Sequence, residues 1–125
     1  MTEGQEHKNT AVERIFDYVR DNYGTEPEYP WARTPDYAVL RHSSNRKWYG
    51  LVMEVNGRAF GLDDRMMWVI NLKVSPQVHE ITIAEGTAFP AYHMNKKKWI
   101  SVPLECSAAE EVLYNLIDES YELTK

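Results

Sequence analysis

The sequence predicts an α+β fold, a two-layer domain with an antiparallel sheet and helices on one of its faces. Apolar residues recur at helical spacing near both ends of the chain, whereas the middle alternates apolar and polar residues with a period near two. The predicted element order is α-β-β-β-α-β-β-α. With 125 residues, 43% of them hydrophobic, we expect one domain spanning 1–125, in which residues 1–9 form a flexible polar tail.

The two terminal helices are predicted from their start signals and their apolar spacing. The first is predicted to begin at Thr10, which forms a capping-box pair with Glu13, and to end at Gly24. The last is predicted to begin near Ser107, with a capping-box partner at Glu110. The apolar residues at helical spacing are Val12, Ile15, Phe16, Val19 and Tyr23 in the first helix and Val112, Leu113, Leu116, Ile117 and Tyr121 in the last.

The first three strands are predicted at residues 37–42, 47–55 and 67–74, as a meander. The dipeptide Asn56-Gly57 is typical of a tight turn after the second of them. Regular alternation along that strand places Tyr49 on the same apolar face as Leu51 and Met53.

The other segments complete the predicted order. Residues 25–35 contain three prolines and form an ordered loop whose Trp31 is expected at the edge of the core. A short helix is predicted over residues 75–85, and residues 91–95 and 99–104 are predicted to pair as a second hairpin. The residues expected to be buried are Ile15, Phe16, Val19, Leu51, Met53, Val69, Leu113, Leu116 and Ile117.

One short pattern occurs twice, each time at a predicted hairpin tip. Residues 42–48, the first tip, read His-Ser-Ser-Asn-Arg-Lys-Trp, and residues 93–99, the second tip, read His-Met-Asn-Lys-Lys-Lys-Trp. Residues 41–100 hold nine Lys or Arg against five Asp or Glu, although the whole chain carries a net charge of -5. Because local positive potential attracts a polyanion even on an acidic protein, the sequence predicts a small cationic surface.

Several motifs together resemble those of the MmcQ/YjbR-like family. The resemblance covers nearly all of the chain from Tyr29 onward, and the Pro-Ala-Tyr-His-Met-Asn-Lys stretch at residues 90–96 is its most specific part. The other matching motifs are Arg41-His42, Lys47-Trp48-Tyr49, Asn71-Leu72-Lys73, Trp99-Ile100 and Ser120-Tyr121-Glu122-Leu123.

The resemblance implies a small α+β fold similar to the secretion-chaperone-like and frataxin-like architectures, and DNA binding through two hairpin wings. DNA is therefore the expected partner, held weakly and in a salt-sensitive way, because lysine and arginine neutralise phosphate charge. The expected nucleic-acid-binding residues are Arg41, His42, Asn45, Arg46, Lys47, Lys73, His93, Asn95, Lys96, Lys97 and Lys98.

Several of these residues have alternative interpretations. Cations at hairpin tips are equally typical of solvated turns. Trp48 and Trp99 follow the cations and fit either stacking on unpaired bases or packing as hairpin clamps. His42 and His93 fit hydrogen-bonded or anion-contacting roles, an acid and base pair, or metal ligands if a third ligand joins them.

Three classes of function follow, in decreasing order of support. The first is a non-enzymatic DNA-binding protein, and the second is a protein-interaction module resembling secretion chaperones, which requires an exposed apolar patch. The third is an enzyme that uses His42 and His93. The location of the exposed apolar surface separates the first two classes, because a DNA-binding protein requires a continuous cationic patch instead of an apolar one.

No catalytic residue, metal site or cofactor is predicted. The lone Cys106 lacks partners for a disulfide or a zinc site, and Asp63-Asp64 fits a solvated turn better than a divalent-cation site. No apolar run approaches the roughly 18 residues that a membrane span requires. We expect a cytoplasmic protein that is a monomer or weak dimer and makes no membrane contact.

Overall fold

A computed structural model describes residues 10–105 and 110–125. Within them, three helices and five strands follow the predicted order, and the α+β class is confirmed. The predicted tail at residues 1–9, with His7, lies outside the described residues, as do Cys106 and the capping residue Ser107. The elements are α1 (Thr10–Tyr23), β1 (Ala38–Arg41), β2 (Trp48–Asn56), β3 (Met66–Lys73), α2 (Pro76–Ala84), β4 (Phe89–Pro90), β5 (Trp99–Pro103) and α3 (Glu110–Leu123).

The sheet topology places both tips at the same end of the molecule. All strand pairs are antiparallel, in the spatial order β1-β2-β3-β5-β4. The first tip connects β1 to β2, the second connects β4 to β5, and Lys73 at the end of β3 pairs with Trp99. Since neighbouring strands lie about 4.8 Å apart, β2 and β5 are separated by about 10 Å. Only β3 lies between the two tips.

The three helices cover one face of the sheet, as predicted. Ile15 and Val19 of α1 and Ile117 of α3 are fully buried against strand residues such as Ile70 and Ile100. The helix α2 contributes Val78 and Ile83 to the margin of the same cluster. All of the predicted core residues are buried except Leu113, which is partly buried. Periodicity therefore identified the apolar face of each terminal helix, except at Val112, which was predicted on that face of the last helix and is exposed.

A carboxylate and its tyrosine partners join α1 to α3. The Tyr18 hydroxyl donates to both carboxylate oxygens of Asp118, at 2.8 and 2.9 Å, and the Tyr23 hydroxyl donates to the same group. Tyr23 also stacks on Tyr121, with ring centroids 3.8 Å apart. Burial and the bond to Asp118 raise the pKa of Tyr18 to about 12, so this phenol keeps its proton and donates at neutral pH.

The opposite face of the sheet is covered by loops. Residues of β1, β2 and β3 are buried there and contact Trp31, Phe60 and Tyr92, which come from three different connecting segments. The predicted placement of Trp31 at the edge of the core agrees with this packing. The buried residues of this second cluster are Val39, Leu51, Met53, Val55, Met67 and Val69.

A β-bulge in the first hairpin changes which face Tyr49 occupies. Leu40 pairs with Gly50 but Arg41 pairs with Trp48, so Tyr49 is the extra residue on β2. Its side chain is fully buried in the cluster beneath the helices, whereas Trp48 packs with Leu51 on the loop-covered face. The prediction that Tyr49 shares a face with Leu51 and Met53 was wrong because it assumed unbroken alternation.

One predicted turn and one predicted strand also differ from the structure. Asn56-Gly57 does not form a tight turn: the Asn56 side chain accepts from the Arg58 amide (2.9 Å) and begins a 3-10 helix, Gly57–Phe60. Residues 91–95 do not extend as a strand, because β4 ends at Pro90 and the Tyr92 amide bonds to the Ser101 side chain (2.9 Å) rather than to a backbone carbonyl. The second tip is therefore a compact loop attached to a very short strand.

Truncating Leu116 to alanine tests the docking of α3. The side chain is 6% exposed between α3 and the sheet, so Leu116→Ala should lower the free energy of unfolding by about 2–5 kcal/mol in denaturant titrations. Val112, on the same helix, is 42% exposed, and Val112→Ala should change it by less than about 0.5 kcal/mol. Equal effects of the two substitutions would contradict the observed packing of α3.

Candidate functional site

Both tips use the same local turn, in which an asparagine side chain holds the backbone two residues later. Asn45 Oδ1 accepts from the Lys47 amide at 2.8 Å, and Asn95 Oδ1 accepts from the Lys97 amide at 2.9 Å. Asn45 Nδ2 also donates to the carbonyl of Thr124 at 3.1 Å, which attaches the first tip to the end of α3. Each asparagine therefore fixes the backbone of its own tip.

Arg46 of the first tip and Arg41, the last residue of β1, are paired with one glutamate. Arg41 Nε lies 2.9 Å from Glu28 Oε1, and Arg46 Nη2 lies 3.0 Å from Glu28 Oε2. Glu28 itself is fixed by two backbone hydrogen bonds to Val39 of β1. Two cations therefore share a single negative charge, and the first tip keeps a net positive charge that is smaller than its sequence suggests.

Lysines provide most of the unpaired positive charge at this end of the sheet. Lys47, Lys97 and Lys98 are exposed, and none of them forms an ion pair among the residues that the structure describes. Lys96 donates from Nζ to the Ala91 carbonyl at 2.7 Å, so its ammonium is held against its own loop. Lys73, partly buried at the end of β3, lies between the two tips.

His42 is an internal residue and does not belong to the accessible surface. It is 3% exposed, and its ring lies 4.1 Å from that of Tyr121, measured between centroids. Its Nε2 is 2.8 Å from Thr124 Oγ1, whose hydroxyl donates to the Ser120 carbonyl at 2.7 Å. Because the only hydroxyl proton of Thr124 is used in that bond, its oxygen accepts a hydrogen bond from Nε2–H of neutral His42. The expected contact of His42 with nucleic acid does not fit this burial.

His93, the matching residue of the second pattern, is exposed on the opposite face of the sheet. Its backbone has φ of 65°, in the left-handed region that a residue with a Cβ rarely adopts. Since His42 lies beneath the helices and His93 on the loop-covered face, the two imidazoles do not form an acid and base pair.

A buried polar network attaches the His93 loop to the sheet. Asn71 and Ser101 are fully buried and face each other across β3 and β5, with Ser101 Oγ donating to Asn71 Oδ1 at 2.5 Å. Asn71 Nδ2 donates to the Tyr92 carbonyl at 2.9 Å, and the Tyr92 amide donates to Ser101 Oγ at 2.9 Å. Breaking this network would leave buried polar groups unpaired, so the loop is held in one position.

A groove of about 470 Å³ opens on the loop-covered face, beside the tips. Trp31 and Trp48 form two of its walls, with ring centroids 5.9 Å apart and an angle of 77° between the planes. The other lining residues are Thr34, Tyr37, Leu51, Met53, His93, Met94 and Asn95.

The groove and the pairing of Glu28 were not predicted from the sequence. Both depend on the loop at residues 24–37, which brings Glu28 and Trp31 beside residues of β1 and β2. The only local signal was the aromatic content of the proline-rich loop, and that signal does not identify the strand against which the loop packs.

The aspartates of the loop after β2 form ion pairs. Asp64 lies 3.3 Å from Arg58 and accepts from Asn56, and Asp63 lies 3.8 Å from Arg65. Across residues 10–105 and 110–125, no group of three His, Cys, Asp or Glu side chains is arranged to hold a metal ion. None of the helices in those ranges is long and apolar enough to span a membrane.

These features define a small α+β domain with two lysine-bearing tips at one end of an antiparallel sheet. The chain belongs to the YjbR family, whose model matches residues 20–123. It is 46% identical over 114 residues to the uncharacterized protein YyaQ of Bacillus subtilis (strain 168), covering 90% of this chain and 97% of that protein.

Solved structures support the same fold. The crystal structure of a protein from Pseudomonas syringae superposes with a TM-score of 0.86 at 39% identity, covering 90% of this chain and 97% of that one. A structure of a Deinococcus radiodurans protein, DR2400, aligns with a TM-score of 0.67 at 24% identity, covering 90% and 76% of the two chains. The first of these neighbours is similar in sequence as well as in fold, and the second is similar in fold.

The burial of His42 predicts a specific pH dependence of stability. Burial lowers the pKa of His42, an effect that the backbone of Tyr121 opposes and the charge of Lys125 reinforces. In the unfolded chain a histidine titrates near pH 6.5, so unfolded molecules bind protons first as the pH falls. The contribution of His42 to the free energy of unfolding should therefore be constant above about pH 7. It should fall as the pH drops through about 6.5.

Chemical denaturation at several pH values checks this expectation. His42→Gln should remove the part of the slope that begins as the pH falls below about 7. His79→Gln, the same change at a partly exposed histidine, should retain it because His42 is still present. A wild-type slope in the His42→Gln protein would show that another group causes the pH dependence.

Proposed function

We propose that the protein binds DNA weakly and in a salt-sensitive way through the two tips. The main observation in support is that both tips lie at one end of the sheet. Lys47 on one side and Lys97 and Lys98 on the other are exposed there, without ion-pair partners among the described residues. Double-stranded DNA carries about one negative charge per 1.7 Å of its axis, so a surface roughly 10 Å wide faces several phosphates.

The predicted binding residues differ in their local contacts, and the proposal gives them different roles. In this proposal the exposed lysines Lys47, Lys97 and Lys98 contact phosphates, and Lys73 adds positive charge between the tips. The paired arginines Arg41 and Arg46 contribute a reduced positive charge, and Lys96 stays bonded to its own loop. Asn45 and Asn95 fix the backbone of each tip, and His42 supports the first tip from inside.

A protein-binding role is the second candidate, because the groove is concave and mostly apolar. Such a role would depend on contacts with Trp31, Trp48 and Met53 rather than on the lysines. Binding of a peptide would then respond little to salt, whereas binding of DNA responds steeply. Salt dependence therefore separates the two candidates.

Reversing two lysines of the second tip tests the proposal. Lys97→Glu combined with Lys98→Glu should abolish binding of a fluorescently labelled duplex in anisotropy titrations, because both side chains are free to reach phosphates. Exposed turn residues contribute little to stability, so the thermal unfolding of this variant should match that of the wild type. Wild-type affinity should fall steeply with salt, and replacing each lysine by a neutral residue should reduce the log–log slope by about one unit.

A control variant with the same change in net charge distinguishes a local site from a global effect. Arg58 and Arg65 are exposed at the opposite end of the sheet, so Arg58→Glu with Arg65→Glu alters the total charge equally. This control should retain most of the affinity. If both double variants lose binding to the same extent, the tips are not the site, and salt-independent binding of DNA would also contradict the proposal.

A further inference from the structure

The groove beside the tips has the dimensions and lining of a site for a small planar group. Its volume of about 470 Å³ lies within the range of roughly 300–1,000 Å³ that is typical of ligand pockets. The indole rings of Trp31 and Trp48 stand nearly perpendicular to each other, and Leu51 and Met53 of β2 line the groove between the two tips. Aromatic side chains of this kind stack on nucleobases in proteins that bind single strands.

Cationic residues adjoin groove-lining residues of both tips along the chain. Trp48 directly follows Lys47, and Asn95 is followed by the three lysines of the second tip. The guanidinium carbon of Arg41 is 5.6 Å from the centre of the Trp48 ring. An apolar site between two cationic segments matches a nucleotide within a strand, whose base is planar and whose phosphates extend to both sides. An uncharged peptide or a neutral lipid chain lacks this pattern of charge.

Polar groups at the rim are able to meet the edge of a base. Asn95 uses Oδ1 for its own turn, and Nδ2 has no hydrogen-bond partner among the residues described. His93 is exposed at the groove in a left-handed conformation, and the buried Asn71 and Ser101 hold the residue before it. The groove wall is therefore formed before any ligand arrives, which lowers the entropic cost of binding.

We infer that this groove receives one unpaired nucleobase of a DNA strand, which stacks on one of the two indole rings while the adjoining phosphates contact the lysines of both tips. This inference rests on the proposed function. A base within an intact duplex is stacked and paired, so it is not available to enter the groove. The protein should consequently prefer DNA that contains an unpaired base over a fully paired duplex.

Three DNA ligands test the inference without any change to the protein. The first is a fully paired 16-mer duplex, the second is the same duplex with one extra unpaired thymidine, and the third replaces that thymidine with an abasic residue. The second ligand should bind about tenfold more tightly than the first and third, given the strength of base stacking on aromatic side chains. Because the abasic ligand keeps the additional phosphate, charge alone cannot produce this difference.

A pair of matched variants tests the role of the groove. Trp48→Leu keeps an apolar side chain but removes an indole wall, and it should eliminate the preference for the unpaired base. Trp99 holds the same position in the second pattern but does not line the groove, so Trp99→Leu should keep the preference. If Trp48→Leu does not fold, as judged by circular dichroism, the comparison of the thymidine and abasic ligands with the wild-type protein still tests whether an unpaired base is bound.

The possible outcomes separate the two proposals. Equal affinity for all three ligands, with binding still lost in the variant that reverses Lys97 and Lys98, would overturn the groove inference and leave the proposed function standing. Absence of salt-sensitive binding to all three would overturn both. If dTMP alone competes as well as an oligonucleotide containing the unpaired thymidine, the site holds a free nucleotide and the assignment to a strand is wrong. Salt-independent competition by an apolar peptide would instead assign the groove to a protein partner.

Discussion

The extra residue at Tyr49 is the constraint on which the rest of the structure depends. Because β2 carries one more residue than β1 at this point, Tyr49 points beneath the helices and Trp48 points to the loop-covered face. The Tyr49 hydroxyl donates to Thr25 just after α1, at 2.6 Å, and its carbonyl accepts from Ser120 of α3, also at 2.6 Å. One residue thus fixes both terminal helices relative to the sheet. Without the bulge, Trp48 would not reach the groove.

The two faces of the sheet are closed by different means, and this difference determines where a ligand is able to bind. Three helices bury the first face, and the hydroxyls and carboxylates there bond to one another, as in the pairing of Tyr18 and Tyr23 with Asp118. Among the described residues, the second face is covered by connecting segments between the main helices and strands, and the groove remains between Trp31 on one side and His93 on the other. Asn71 and Ser101 keep the loop that carries His93 in place, and this requires two polar side chains to be buried.

The distribution of charge explains how a protein with a net charge of -5 is able to offer a cationic site. Acidic residues are concentrated in the terminal helices, which lie on the face opposite the groove. At this end of the sheet, Glu28 neutralises part of the charge of Arg41 and Arg46, so lysines carry most of the remaining positive charge. Long-range attraction of a polyanion should therefore be weak, and binding should depend on close contact with the tips.

The sequence by itself determined the α+β class, the order of the elements and the apolar faces of α1 and α3, because these follow from periodicity along short segments. It also identified both tips, since their repeated asparagine and cations are a local pattern. Tertiary structure alone decided that Tyr49 turns away from Leu51, that His42 is enclosed by Tyr121 and Thr124, and that Glu28 reaches Arg41. These outcomes depend on contacts between residues distant in the chain and on one inserted residue in a strand, neither of which leaves a periodic signal in the sequence.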